Sequence, residues 1–171
     1  MKRAGGYTLI TGASSGMGEA TAKLLSATRN LVLHGRDEAR LADVGEACAA
    51  NGADVVLFPF DLEQADTVGS ALTALLKEKE APVEAFVHFA GMTEVLPISK
   101  TKYSVGLRVM NVNYFSATEI ISALLKKKSQ RQSSSQHCFD LKRSCLSRDA
   151  LSAALLFQQG GHQLFGDSSG L

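Results

Sequence analysis

The chain has 171 residues, close to the length of one domain, and 45% hydrophobic with 20% charged residues excludes a wholly disordered, collagen-like or coiled-coil protein. Lys and Arg number 18 against 17 Asp and Glu, a formal net charge of +1, so there is no electrostatic excess to hold a nucleic acid or an anionic membrane, and neither is an expected partner. Cys48, Cys138 and Cys145 are odd in number and lack paired ligand spacing, so no disulfide framework and no metal site is expected, and a reducing cytoplasm fits.

The apolar stretch after Lys2 and Arg3 runs only from Tyr7 to Ile10, too short for a signal peptide or a membrane span, and it reads instead as a strand that stops at Thr11-Gly12. Helical spacing follows from Gly18 to Leu25. Leu31 to Leu33 predicts a second strand, and residues 37–50 a helix with Leu41, Val44 and Cys48 on one face. Val55 to Phe58, closed by Pro59, predicts a third strand, and residues 64–79 a helix with Val68, Leu72, Leu75 and Leu76 inward. A fourth strand, Val83 to Phe89, is entered from Pro82. Strands apolar on both faces and separated by helices predict a parallel sheet covered on both sides, a doubly wound α/β fold. Val112 to Lys128 then predicts a long helix carrying Ile120, Ile121, Leu124 and Leu125 and ending in three lysines, which suit a helix C-terminus. From Ser129 to Gln136 every residue is polar, which predicts a linker or break, and beyond it the βα rhythm is lost. The chain therefore divides into residues 1–128, a dinucleotide-binding half, and an aberrant tail, residues 129–171.

The chemistry lies in the turns after the strands. Thr11-Gly12-Ala13-Ser14-Ser15-Gly16-Met17-Gly18 follows a strand and opens a helix, the context in which glycines let backbone N–H groups approach a pyrophosphate. This turn resembles that of the short-chain dehydrogenase/reductase family, Thr-Gly-x-x-x-Gly-x-Gly, and three further motifs follow in the family's order. Asp61-Leu62 is similar to the pair that touches the adenine ring there. His88-Phe89-Ala90-Gly91 stands where the family has Asn-Asn-Ala-Gly, so only Ala90 and Gly91 carry over. Val112-Asn113 resembles the Val-Asn whose asparagine supports a catalytic water and proton relay. The resemblance spans residues 5 to 128 and implies a Rossmann-like fold, with Gly12, Ser14, Ser15, Gly16, Met17, Gly18, Asp61, Leu62, Ala90 and Gly91 at the cofactor and Asn113 in catalysis. It also implies a small-molecule carbonyl or alcohol substrate and, for an intact member, a homo-oligomer.

Charge bears on the choice of cofactor. A carboxylate near the end of the second strand accepts ribose hydroxyls, whereas a 2′-phosphate needs a cation. Gly35 takes the acidic position and Arg36 follows it, so NADP is expected; NAD stays open because Asp37 becomes the acid if the register slips by two.

The family's tyrosine, the lysine four residues later and the serine that orients the carbonyl are missing: no Tyr-x-x-x-Lys follows Asn113. They reappear when the coding sequence of the tail is read one base further along. Leu155, Leu156, Phe157, Gln158, Gln159, Gly160, Gly161 and His162 then permit Tyr-Ser-Ser-Ser-Lys-Ala-Ala-Ile, and residues 137–142 permit Ile-Val-Leu-Ile-Ser-Ser. The serine read across Lys142 and the tyrosine read across Leu155 stand 13 positions apart, the family's separation. The expectation is a frame displacement between Lys126 and His137, with a genuinely divergent tail as the alternative. The chain reads as an NAD(P)-dependent oxidoreductase by family, truncated and inactive as written. The alternatives are a 3-oxoacyl-carrier-protein reductase-like enzyme and a non-catalytic dinucleotide-binding or regulatory protein.

Overall fold

The computed structural model describes residues 5–132, and their side chains as far as residue 126. Four strands, β1 (Tyr7–Thr11), β2 (Asn30–Gly35), β3 (Val55–Pro59) and β4 (Val83–His88), form one parallel sheet in the order β3-β2-β1-β4. Helices α1 (Gly16–Leu25), α2 (Glu38–Ala50) and α3 (Ala65–Glu78) return the chain after the first three strands. This is the doubly wound α/β fold that the sequence predicts, with boundaries moved by one or two residues.

Alternation along the strands makes two cores. Ile10, Leu31 and Leu33 face α1 and α2, where Ala22, Leu41, Val44 and Cys48 cover them. Leu9, Val32, Val56 and Phe58 face the other way, toward Val68, Leu72 and Leu76 of α3 and Ile120 of a later helix. Each fully buried Leu or Ile contributes about 1.5–3 kcal/mol. Leu75, expected inward, is only half-buried, because it lies at the margin of the α3 stripe. Tyr7 ties the start of β1 to the entrance of β3 by donating its hydroxyl to Asp54 at 2.8 Å.

The C-terminal helical region corrects two expectations. It starts before Val112: α4 (Tyr103–Met110) leads into a π-helical turn (Asn111–Phe115) and then α5 (Ser116–Gln132). No residue of α4 is buried among the described residues. Its second end also differs, since α5 runs past Lys128 to Gln132 into the expected break; a polar run without Gly or Pro carries little helix penalty. Within α5, Ile120 is buried, whereas Ile121 and Leu125 are exposed. The remainder of the tail, with Cys138, Cys145 and residues 137–162 of the displaced-frame reading, lies outside the described residues.

Candidate cofactor site

The chain order reverses at β1. Strands β1, β2 and β3 step outward to one side, and α3 carries the chain back to place β4 on the other. Loops leaving the carboxyl ends of β1 and β4 therefore diverge, and a crevice opens between them. A cleft of about 390 Å³ lies there. It is lined by Gly12, Ser14, Ser15, Gly16, Met17 and Gly18 after β1, by Arg36 after β2, by Asp61 and Leu62 after β3, and by Ala90 and Gly91 after β4. These are the residues nominated from sequence, brought together around one space.

The glycines explain the shape of the turn. Gly16 has φ +57°, and a methyl group there would meet nothing within 4 Å, so the backbone demands glycine while the space above it stays open. Gly18 is the opposite case: a Cβ would stand 2.1 Å from the Gly12 carbonyl oxygen, so the helix start packs directly on the turn. Helix α1 presents its unsatisfied first-turn N–H groups toward this opening. Ser15 caps it in an extended conformation with no capping bond from its hydroxyl. An open space bounded by a helix N-terminus, backbone amides and a cation fits a dinucleotide diphosphate.

Beyond β2, Arg36 is exposed and makes no ion pair with a described residue. Asp37 is committed elsewhere: its carboxylate caps α2 by accepting from the Arg40 N–H at 3.1 Å and pairs with the Arg40 side chain at 3.3 Å. Asp61 closes an Asx turn by accepting from the Glu63 N–H at 3.0 Å. Leu62 lines the cleft but is 3% exposed, with its side chain held in the core.

Asn113 is not in the lining. Both ends of its side-chain amide hold Met92, Oδ1 accepting from the Met92 N–H at 2.8 Å and Nδ2 donating to the Met92 carbonyl at 2.9 Å. It clamps the loop after Gly91 with one N–H and one oxygen lone pair of its amide. The π turn that carries it redirects the backbone, as such turns do at functional sites. Asn111 makes a second tie, donating to the Glu63 carbonyl at 2.7 Å.

Sequence reasoning missed His34, Phe60, Phe89, Met92 and Val112 as lining residues. The first three had a readable signal, since each stands at or just beyond a strand's carboxyl end, where the crevice must be. His34 is 3% exposed, and burial holds its ring neutral, with a pKa pushed down to about 4. Burial likewise lowers that of His88. Among the described residues no cluster of His, Cys, Asp and Glu is placed to hold a metal, and no helix is long and apolar enough to cross a membrane.

A parallel sheet with a glycine turn at its switch point defines a dinucleotide-binding α/β protein. The family model described as short chain dehydrogenase matches residues 7–135, and the chain belongs to this family. It is 35% identical over 124 residues to dehydrogenase/reductase SDR family member 7B of Danio rerio, covering 68% of this chain and 40% of that protein. The counterpart from Xenopus laevis is 34% identical over 137 residues, covering 72% and 42%. Among solved structures, 3-oxoacyl (acyl-carrier-protein) reductase from Agrobacterium tumefaciens C58 with NADP bound is similar at a TM-score of 0.65 and 27% identity, over 75% of this chain and 49% of that one. The chain thus spans about 40% of the length of the curated relatives it matches.

Proposed function

We propose that residues 5–132 bind NADP(H) for an oxidoreductase that interconverts a carbonyl and a secondary alcohol. The carrying observation is the end of β2: an exposed guanidinium at Arg36, a glycine where a ribose-binding carboxylate would stand, and Asp37 engaged in capping α2 and pairing with Arg40. A 2′-phosphate pairs with that cation, whereas NAD(H) gains no acceptor for its ribose hydroxyls. Gly12, Ser14, Ser15, Gly16, Met17 and Gly18 hold the diphosphate, Asp61 and Leu62 border the adenine, and Ala90 and Gly91 border the nicotinamide side. The cofactor supplies or accepts the hydride. The NADP in the similar Agrobacterium structure supports this choice and keeps an acyl-carrier-protein-linked oxoacyl substrate as the narrower reading.

The proton donor is the other half of the reaction, and the written residues 137–162 do not contain it. We propose that the serine and the Tyr-x-x-x-Lys lie in the displaced frame, so that the chain as written binds cofactor without turnover. Ile120 and Leu124 belong to the core in the written frame, which supports a displacement later than Leu124.

Titration of the chain with NADPH and NADH tests the cofactor reading. Arg36→Asp should weaken NADPH on the order of tenfold more than NADH, because a phosphate then meets a carboxylate. Equal losses for the two would sink the role of Arg36.

A further inference from the structure

Three side chains stand in a row across the sheet on the face that α3 and α5 cover. Thr11 is the last residue of β1 and pairs in register with His88 of β4. The β1–β2 register, which pairs Ile10 with Leu33, brings His34 beside Thr11 on the other side. The strand end that carries the glycine turn is thus flanked by two buried imidazoles.

The tautomer of His34 is fixed by what it touches. Nε2 of His34 lies 3.0 Å from the Phe60 carbonyl oxygen, which only accepts, so Nε2 carries the hydrogen. Its Nδ1 is then a bare acceptor, and the Gly12 N–H points at it from 3.5 Å. On the far side, Thr11 Oγ1 accepts from the Ala90 N–H at 3.4 Å. Its hydroxyl lies 2.8 Å from Nδ1 of His88 and can donate to it, in the tautomer that puts that ring's hydrogen on Nε2 as well. Nε2 of His88 is buried with no partner in hydrogen-bond geometry, while the backbone of Val112 and Asn113 also acts on the ring. The tilted contacts of His34 with Phe58 and of His88 with Phe86, at 5.6 and 5.9 Å, keep both rings from turning. Burial keeps both neutral, as Nδ1 acceptors must be.

We propose that His34 and His88 are positioning residues for the dinucleotide turn: two imidazoles of one tautomer whose Nδ1 atoms receive the Gly12 N–H and the Thr11 O–H from opposite sides. Gly12 has φ +69° and lies against the Ala90 backbone, so a small rotation of its peptide moves the amides that face the diphosphate. His34 ties that peptide to the loop after β3, while Thr11 is tied to the end of β4 through His88 and to the loop beyond it through the Ala90 N–H, so the three walls of the cleft keep one spacing. The inference rests on the NADP(H) reading for its ligand, but not for its geometry.

Two measurements on the full 171-residue chain test it. Nitrogen-15 NMR of the histidine rings near neutral pH should show the Nε2–H tautomer for both, and the Gly12 amide should shift when the His34 ring is titrated. An Nδ1–H ring at position 34, or a Gly12 amide indifferent to its titration, would overturn the brace whatever binds. NADP+ affinity is the second readout. His34→Phe keeps the ring and its packing but removes the acceptor, and should weaken NADP+ by about tenfold. His34→Gln restores an acceptor and should return within about threefold of the parent. Equal affinity of the Phe variant and the parent contradicts the positioning role. If His34→Phe does not fold, the ring tautomers of the parent decide. A parent that binds no NADP+ while the NMR result holds overturns the cofactor reading and, with it, the role in affinity.

Discussion

A methyl group added at Gly16 and one added at Gly18 meet opposite surroundings, although the two residues share one motif. Gly18→Ala drives a Cβ into the Gly12 carbonyl, so helix α1 must shift, with an expected loss of about 1–3 kcal/mol and of NADP(H) binding. Gly16→Ala meets no atom and suffers only from its positive φ, about 1 kcal/mol. Urea unfolding of both variants should rank them in that order; the reverse ranking would mean that the turn is not packed as described. His34 gives a pH signature. Its pKa is depressed from 6.5 to about 4 in the fold, so its contribution to stability is complete above pH 6.5 and is lost as the pH falls toward 4. Unfolding midpoints of the parent should decline across that window more steeply than those of His34→Gln; parallel declines would contradict the assignment. Residue identities were legible in sequence where the motif is contiguous, as in residues 12–18. They were less so where a side chain has two candidate employments: only the structure shows that Asp37 caps α2 and that Asn113 holds the Met92 backbone.

At the scale of elements, α5 shows how far the written sequence packs. Ile120 is fully buried against the α3 face and Leu125 is 51% exposed. Ile120→Ala should destabilise by about 2–5 kcal/mol, and Leu125→Ala by no more than about 0.5 kcal/mol. Chemical denaturation of the two variants checks this, and similar losses would place the helix face differently. Strand β4 is the other telling element. Its residues are half-buried apart from exposed Glu84, and among the described residues no strand pairs with its outer edge. An apolar parallel strand with a free edge invites pairing with another chain. Sequence periodicity found the first three helices because each has one buried face, and the strands stood out as short apolar runs, β1 and β2 being buried on both faces. It missed α4, whose side chains reach no core, and it ended α5 early because polarity was read as a break.

For the whole molecule, the sheet order places every nominated cofactor residue on one cleft, while the acid–base groups that a carbonyl reduction needs are absent from the written order after Asn113. The four strands and the three helices between them were legible because length, glycine turn and βα alternation all agree. The catalytic half was not, because codon arithmetic gives permitted residues and not observed ones. The proposed frame displacement accounts for both, with a cofactor half in one reading frame and a catalytic half in another. It is tested most directly by expressing the 171-residue chain beside a version in which the frame is restored between codons 126 and 137 and translation continues. Both are then followed for NADPH oxidation across a panel of carbonyl compounds. The written chain should bind NADPH and oxidise none of it, and the frame-restored chain should turn over at least one carbonyl; turnover by the written chain, or none by a folded frame-restored one, contradicts the account.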